Sequence, residues 1–356
     1  MNFRISLRHL WKNKLFSIIN VLGLSLGLVC CTLILLHVKF ELSYDRFHVK
    51  RDRISRVLTD NFALTPYVLA PALYEYCPEI EKIARITKFD DGRFFVKQNE
   101  TATGEKGLMF ADSCFFGVFS FPVTHGDPEK VLRASDRIMI SEKIAEKYFK
   151  AQDAVGNHIT LRIDNNDHDF MVEGIFKDFP EQSHFHANIL LSMEFFAKQR
   201  NESSLTNWGN SSIFTYILTE QPGMNTRINE RLPDLITKYV PEEKSKDLHF
   251  RLQPLSDIHL YSTSLDIDIE PQGSITRVII FASIAVLVLV IALVNFILLS
   301  MALSFQRIRE FGIRKVNGAQ GKQLVSLVTA EFLIVLLMAL IIGAIILELI
   351  IPFFEI

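Results

Sequence analysis

The chain has 356 residues, of which 49% are hydrophobic and 22% charged, and its mean hydropathy is positive at +0.22. A charged fraction near that of soluble proteins, combined with an apolar excess, indicates one chain that faces two solvents. The formal net charge of −2 argues against a nucleic-acid partner, and the length allows more than one domain.

A first apolar segment lies near the N-terminus. Residues Leu15 to Leu36 carry no formal charge, and at about 1.5 Å per residue such a run crosses the hydrocarbon core of a bilayer. A cleaved signal peptide would need a shorter apolar core and a small-residue cleavage site, which the sequence HVKFEL after Leu36 does not offer. We therefore predict a transmembrane helix at 15–40.

Two further apolar segments follow near the C-terminus. The uncharged run from Val278 to Gln306 predicts a second transmembrane helix at 277–306. The third apolar segment predicts a helix at 324–351, although Glu331 and Glu348 interrupt it. Carboxylates inside a membrane helix are usually functional or paired. Glu331 lies only nine residues past Lys322, so a position near the interface would accommodate it.

The first residues of the chain show a basic, amphipathic pattern. Arg4, Arg8 and Lys12 recur every four residues, while Trp11 falls with other apolar residues on a different side. This spacing predicts an amphipathic helix at 1–14 that contacts membrane lipids at the inner interface. A plain basic flank that sets the topology is a compatible alternative.

Basic residues also predict the orientation of the chain. The connection at 307–323 contains five basic residues and one acid, and the N-terminal flank is basic as well. Because basic residues are retained in the cytoplasm, both regions are predicted to be cytoplasmic. The stretch 41–276 is then an extracytoplasmic domain.

This outer stretch has the pattern of an α+β domain. Alternating apolar residues predict strands at 53–58, 83–88, 94–98, 107–110, 159–163, 170–176, 213–219 and 249–253, and helices at 68–76, 141–149 and 225–239. Ser141 is the expected N-cap of its helix, with Lys143 and Lys147 facing outward. A polar turn is expected at 164–168, and a change of texture indicates an inserted lobe at about 185–248.

Sequence motifs for covalent chemistry are missing, so we predict no catalytic residue and no bound cofactor. The nearest approach to a phosphate loop, Gly318–Lys322, has Val316 where the motif requires its first glycine. His184 and His186 are two residues apart, but zinc requires three or four ligands with a supporting shell. We therefore predict turn or surface histidines and no metal site.

Four cysteines divide between the two environments. Cys77 and Cys114 lie in the outer stretch, where an oxidising compartment would allow them to pair or to remain free thiols. Cys30 and Cys31 lie in the first apolar segment, where packing is the expected role.

The connection at 306–324 has more than a topological signal requires. Its charged residues alternate with apolar Ile308, Phe311, Ile313 and Val316, and two glycines allow a bend or a close backbone approach. Such a mixture favours a surface that docks another protein.

The sequence RIREFGIRKVNGA at 307–319 resembles the motif "R-x-E-I-G-I-R-K-x-x-G-A" of the MacB/FtsX-like permeases of ATP-binding cassette (ABC) systems. Other segments resemble further parts of that family in the same order. They are NVLGLSLG at 20–27, ELSYDRFH at 41–48, DSCFFGVFSFP at 112–122, ISEKIA at 140–145, GIFKDFP at 174–180 and QPLSDIHL at 253–260.

The resemblance implies a multi-pass permease of the bacterial inner membrane, with a MacB-like periplasmic core domain. It implies a separate cytoplasmic ATPase partner. The ATPase cycle would move the outer domain by way of the membrane helices, which transmit the movement, for efflux or extraction of a substrate. It also implies pairing into a homo- or heterodimer of permease modules, and contact with a periplasmic adaptor. The residues that fall in the ATPase-coupling segment are Arg309, Glu310, Phe311, Gly312, Ile313, Arg314, Lys315 and Gly318, where Phe311 replaces the usual aliphatic residue.

Two alternatives remain open at this stage. A transmembrane sensor or an envelope or cell-division scaffold would also place an outer domain between two helices. The family module has four membrane helices, or eight when duplicated, so three segments lead us to expect a partial chain or a split subunit. The substrate is not indicated.

Overall fold

The computed structural model describes residue 11 and residues 14–89, 94–98, 101–149, 154–245, 248–305 and 308–353. It divides into two compact units, one formed by Met1–Leu42 with Ile275–Ile356 and the other by Ser43–Ser274. We call the first the helical unit and the second the sheet domain.

The helical unit contains three long apolar helices among its described residues: Lys14–Glu41, Ile275–Phe305 and Gly321–Ile350. With 28, 31 and 30 residues, each is long enough to cross a membrane. The three predicted apolar helices are therefore confirmed. We call them the first, second and third apolar helices. A short helix, Ile308–Val316, lies between the second and the third, and the 3₁₀ turn Ile351–Phe353 follows the third.

The sheet domain is built on one mixed sheet with thirteen described strands. The strands are β1 Ile54–Thr59, β2 Thr65–Pro66, β3 Ile80–Lys88, β4 Phe94–Gln98, β5 Thr101–Gly104, β6 Leu108–Ala111, β7 Val123–His125, β8 Arg137–Ser141, β9 His158–Ile163, β10 Asn166–Phe176, β11 Ile189–Ser192, β12 Ser211–Thr219 and β13 Phe250–Pro254. Their order is β13-β1-β12-β3-β6-β11-β8-β10-β9-β4-β5, with β2 beside β12 and β7 beside β10. The pairs β6/β11 and β8/β10 are parallel, and the other pairs are antiparallel.

Helices cover this sheet. Their bounds are Leu69–Tyr76, Phe115–Val118, Pro128–Val131, Glu142–Tyr148, Met193–Lys198, Glu202–Leu205, Asn225–Tyr239, Glu242–Ser245 and Leu255–Tyr261, after a 3₁₀ turn at Arg51–Arg53. Strands β1, β6 and β11 are buried along their whole length. Because both faces are covered there, these strands do not alternate between buried and exposed residues; β6 and β11 are largely apolar, whereas β1 also buries Ser55, Arg56 and Thr59.

Local sequence explains the best-predicted elements. Ser141 caps helix Glu142–Tyr148 by accepting a hydrogen bond from the Ile144 amide at 3.3 Å, and Lys143 and Lys147 are exposed, as predicted. The hairpin between β9 and β10 is tighter than the predicted polar turn at 164–168. Asp164 and Asn165 both have positive φ, at 50° and 66°, which gives a two-residue turn.

The segment 185–248 contributes β11 and β12 to the middle of the same sheet. Helix Asn225–Tyr239 within it packs with helix Leu69–Tyr76 in a separate apolar cluster that also includes residues of β1 and β13. An inserted lobe with its own boundaries therefore stays a prediction.

Candidate functional site

The short helix Ile308–Val316, which we call the bridging helix, contains seven of the eight residues predicted to contact an ATPase. One side of it is half-buried and includes Glu310, Phe311 and Arg314. The Arg314 guanidinium donates a hydrogen bond to a Glu310 carboxylate oxygen at 2.8 Å, one turn away. Such an i, i+4 ion pair adds a few tenths of a kcal/mol to helix stability, roughly 0.3–0.5.

The opposite side of the bridging helix is uncovered. Arg309, Gly312, Ile313 and Val316 follow the i, i+3, i+4, i+7 spacing that places residues on one helix face, and all four are exposed. Ile313 is 59% exposed and Val316 is 89% exposed. We call these four residues the free face. It combines two aliphatic side chains, one cation and a glycine.

Gly312 has no packing reason to be glycine among the described residues. A Cβ atom built at Gly312 would have no described atom within 4 Å, and the residue does not have positive φ. Glycine inside a helix is less stable than alanine by about 1 kcal/mol. The described contacts therefore give no structural reason for glycine at this position.

The turn after the bridging helix has a defined geometry. Gly318 has φ of +88°, the Ala319 amide donates to the Arg314 carbonyl at 3.0 Å, and the Gly318 amide donates to the Lys315 carbonyl at 3.1 Å. This is a Schellman termination, in which glycine avoids the strain of the left-handed region. Gln320 and Gln323 then form a reciprocal capping box at the start of the third apolar helix. Both ends of the link 317–320 are thus fixed by hydrogen bonds.

Phe311 is directed differently from the free face. It is half-buried and lines a groove of about 400 Å³ together with Leu324, Val328 and Phe332 of the third apolar helix. The alternation in the sequence predicts Phe311 as a docking residue. The structure places it against its own chain, and the more exposed aliphatic residues of the bridging helix are Ile308, Ile313 and Val316.

The first apolar helix packs closely against the second. A Cβ atom at Gly27 would lie only 2.4 Å from the Ala292 Cβ, so the two helices touch at a position where only glycine fits. Asn20 donates a buried side-chain hydrogen bond to the Ser300 hydroxyl at 3.2 Å. Polar bonds of this kind stabilise helix pairs in membranes by roughly 1 kcal/mol. The first apolar helix is therefore in direct contact with the second. The second apolar helix in turn precedes the bridging helix in the chain.

The residues predicted at the membrane interface are only partly described. Arg4, Arg8 and Lys12 lie outside the described residues. Trp11 is 74% exposed and, with Lys14, lies at one end of an apolar groove between the first and third apolar helices. The amphipathic helix at 1–14 therefore stays a prediction.

In the sheet domain, a buried polar cluster fixes the chain just after the first apolar helix. The Asp45 carboxylate lies 2.9 Å from His184 Nδ1 and 3.7 Å from His48 Nε2, and His184 Nε2 is 2.8 Å from the Tyr216 hydroxyl. The Ser120 amide donates to His48 Nδ1 at 3.0 Å, which leaves the His48 N–H on the side of Asp45. Burial lowers the pKa of His48 to about 4, against the opposing charge of Asp45.

A second buried cluster fixes the segment that leads to the second apolar helix. Arg56 of β1 is fully buried, and its guanidinium bonds Gln253 at 2.9 Å, Ser262 at 3.0 Å and both oxygens of Asp268. A buried guanidinium needs such a complete set of acceptors, because removing one partner leaves an uncompensated charge. Asp268 lies seven residues before the second apolar helix begins at Ile275.

The histidines do not form a metal site in the part of the chain that is described. No group of three or more His, Cys, Asp or Glu residues there is placed to hold a metal ion. The prediction that His184 is a turn or surface residue is wrong, since it is 1% exposed and bonds Asp45 and Tyr216. His186 is half-buried and bonds Glu270 at 2.8 Å. Burial disfavours its charged form, but this hydrogen bond and the charge of Glu270 raise the pKa of His186.

The two cysteines of the sheet domain are free thiols. Cys77 is buried in the cluster beneath helix Asn225–Tyr239, whereas Cys114 packs at the cluster around Phe115 and donates to the Ile83 carbonyl at 2.8 Å. Burial raises the pKa of both thiols to about 11. The structure therefore favours the unpaired alternative.

Comparison with known families identifies the chain. The family model described as "MacB-like periplasmic core domain" matches residues 17–234, which is more than half of the sequence. The chain belongs to this family. The model described as "FtsX-like permease C-terminal" matches residues 282–356 and therefore includes the bridging helix. The MacB-like family is a family of transporter permeases and not of classical enzymes.

Solved structures that resemble this MacB-like chain cover between 56% and 59% of it. One is a domain of a permease protein from Porphyromonas gingivalis, with 25% identity over 59% of this chain and 92% of that one, and a TM-score of 0.49. The periplasmic region of MacB from Actinobacillus actinomycetemcomitans has 13% identity, 58% and 90% coverage and a TM-score of 0.41. The extracellular domain of the noncanonic ABC-type transporter YknZ from Gram-positive bacteria has 14% identity, 56% and 99% coverage and a TM-score of 0.39. No curated protein matches the chain.

Proposed function

We propose that this chain is the permease subunit of an ABC transporter, in which a separate cytoplasmic ATPase drives movement of the sheet domain to export or extract a substrate. Membership of the MacB-like permease family supports the general class, since such permeases typically work with an ATPase. The observation that carries the proposal is the free face of the bridging helix. It is an aliphatic surface on a helix whose C-terminal end is fixed by the Schellman hydrogen bonds.

The free face has the composition of a small docking site. Ile313 and Val316 supply apolar area, Arg309 supplies a charge at the edge, and Gly312 allows close approach. Burying an exposed aliphatic side chain contributes roughly 1.5–3 kcal/mol, whereas a rim charge contributes less. In this proposal the ATPase binds mainly through Ile313 and Val316, and Phe311 holds the bridging helix against the third apolar helix.

Force applied to the bridging helix has a short route along the chain. The second apolar helix ends at Phe305, just before it, and touches the first apolar helix at the Gly27 and Ala292 contact. At the other ends of these two helices, the chain continues into the Asp45 and Arg56 clusters of the sheet domain. In this proposal, movement of the bridging helix reaches the sheet domain along these two chain segments.

A matched pair of valines tests the docking role. Val316 on the free face and Val49 in the sheet domain are almost equally exposed, at 89% and 87%. The partner in the assay is the ATPase encoded by a neighbouring gene, recognised by its complete phosphate-binding loop. The assay measures how tightly this ATPase binds the full chain in nanodiscs. Val316→Ser should weaken binding by about tenfold, the equivalent of 1.4 kcal/mol, and Ile313→Ser should do the same.

Val49→Ser should bind that ATPase as the unsubstituted chain does. Equal binding by all three variants would remove the free face from the interface and leave 307–323 as a topological loop. If no neighbouring gene encodes a phosphate-binding loop, the sensor or scaffold alternatives become the better explanation.

A further inference from the structure

The sheet domain contains a pocket that the coupling mechanism does not use. It has a volume of about 360 Å³ and lies among the ends of β3 and β6, the start of β12, the β9–β10 turn and the two helices Met193–Lys198 and Glu202–Leu205. This volume is at the lower end of the range for small-molecule sites, roughly 300–1,000 Å³. It would hold a ligand of one or two amino-acid residues.

The floor of the pocket is aromatic. Phe110 and Phe196 are 4% and 7% exposed, with ring centroids 5.4 Å apart, and the half-buried Phe89 meets the Phe110 ring edge-on at 6.3 Å. All three line the pocket. These rings are held by the core of the domain, so they offer an apolar surface for an aliphatic or aromatic group.

Arg200 supplies a positive charge at the same pocket. Its guanidinium carbon lies 4.9 Å from the centre of the Phe196 ring. No carboxylate among the described residues pairs with it, whereas Lys88 in the same lining is neutralised by Glu270 at 2.8 Å. A guanidinium placed over an aromatic ring keeps its N–H edge available for a carboxylate, which it binds through two parallel hydrogen bonds.

Asp164 supplies a negative charge to the lining. It is the first residue of the two-residue turn between β9 and β10, where its φ is 50°. No basic side chain in the described part of the chain forms an ion pair with its carboxylate. The pocket therefore combines an aromatic floor with one unpaired cation and one unpaired anion.

We propose that this pocket binds a short peptide with free termini and an apolar side chain. The ligand carboxylate pairs with Arg200, its ammonium group pairs with Asp164, and its side chain lies on the Phe89, Phe110 and Phe196 rings. A simple organic anion would leave Asp164 unpaired, and a simple amine would leave Arg200 unpaired. This site is independent of the proposed ATPase docking, because no residue of the bridging helix takes part in it.

Blocked peptides separate the three interactions. We would measure, by titration calorimetry on the full chain in nanodiscs, the binding of the dipeptide Leu-Phe, its N-acetyl form, its C-terminal amide and Gly-Gly. Leu-Phe should bind, and blocking either terminus should weaken binding by about tenfold, the usual scale for one charge-assisted hydrogen-bonding pair. Gly-Gly, which lacks an apolar side chain, should not bind measurably.

Matched variants assign each terminus. Arg200→Gln should bind Leu-Phe and its amide equally, because the partner of the carboxylate is gone. Asp164→Asn should bind Leu-Phe and its acetyl form equally, and asparagine tolerates the positive φ of the turn. Arg251→Gln and Asp234→Asn, which replace exposed residues outside the pocket, should bind as the unsubstituted chain does.

Three results would overturn the proposal. They are no heat of binding with Leu-Phe, equal binding of Leu-Phe and its acetyl form by the unsubstituted chain, and unchanged carboxylate preference in Arg200→Gln. If Arg200→Gln lowers the thermal stability of the chain, Arg200→Lys replaces it. Lysine keeps the charge but loses the two parallel hydrogen bonds, so the carboxylate preference should fall without vanishing.

Discussion

The substitution Gly312→Ala separates the fold of the bridging helix from its role as a docking surface. A methyl group at this position would meet no described atom within 4 Å, so it disturbs no packing inside the chain. Alanine should instead stabilise the bridging helix by about 1 kcal/mol, because glycine is the weaker helix former. Any loss of function must then come from the partner.

The size of the binding defect follows from close packing. If an ATPase backbone lies against Gly312, an added methyl group overpacks the interface and costs about 1–3 kcal/mol. The dissociation constant should therefore rise roughly 5- to 150-fold. The opposite signs of the two effects make this substitution more informative than a truncation, which can weaken folding and binding together.

Two other glycines in the same region are natural controls. Gly321 is the first residue of the third apolar helix and also has no described atom within 4 Å of a Cβ position, so Gly321→Ala should not lower stability and should leave ATPase binding unchanged. Gly318 has φ of +88°, and Gly318→Ala should strain the Schellman turn by about 1–2 kcal/mol. It should weaken ATPase binding indirectly, together with the thermal stability of the helical unit.

The assay is ATPase binding to nanodiscs that contain each full-length variant, with the melting temperature recorded on the same samples. We expect a higher or unchanged melting temperature and weaker binding for Gly312→Ala. Native-like binding by a well-folded Gly312→Ala protein would refute the argument that the glycine serves a close approach. The proposal that the free face docks an ATPase would then lose the structural argument based on Gly312.

Three further predictions address the rest of the chain. In a cysteine-free variant in spheroplasts, an impermeant maleimide should label Asn201→Cys and not Gly318→Cys; the reverse pattern would invert the topology. Glu331→Gln should preserve membrane insertion and reduce transport-linked activity at most partly, since Glu331 lies only nine residues past Lys322 and a position near the interface accommodates it; complete loss at normal expression would show a central role. Because the pKa of His48 is lowered from 6.5 to about 4, the unfolded chain binds a proton in this pH window that the folded chain does not. The unfolding free energy should thus fall by up to about 3 kcal/mol from pH 6.5 to pH 4. If urea titrations of His48→Gln show the same fall over this pH range as the unsubstituted chain, the assignment to His48 is contradicted.

The apolar helices could be predicted from sequence because their signal is local and long. The details at their ends could not, since a hydropathy count begins at the first apolar residue and ignores capping. The third apolar helix begins at Gly321, three residues before the predicted start at Leu324, because Gln320 and Gln323 cap it. Polar residues thus form its first turn.

The missed strands show the limit of periodicity. β8 and β11 have five and four residues and are almost wholly buried, so they lack the alternation that marks a half-exposed strand. β8 also runs directly into the helix capped by Ser141. Their place in the middle of the sheet depends on partners far away in the sequence.

Long-range pairing also explains the errors at single residues. The acids nearest to His184 in sequence, Asp178 and Glu181, indicate a polar surface turn. Its actual partner is Asp45, 139 residues earlier in the chain. Likewise, the local sequence predicts that Phe311 docks a partner. In the structure, Phe311 lines a groove together with residues of the third apolar helix.

The two buried polar clusters meet at one residue, Tyr216 of β12. Its hydroxyl bonds His184 of the Asp45 cluster, and its side chain also interacts with Arg56 of the second cluster. Buried charge pairs of this kind often stabilise a fold less than apolar side chains of similar volume would. Their benefit is directional, because each pair has one low-energy geometry. Asp45 also has a left-handed φ of 57°, a strained backbone conformation that the contacts of its side chain help to maintain. The chain segments that contain Asp45 and Asp268 are therefore both linked, through His184 and Arg56, to Tyr216 of β12.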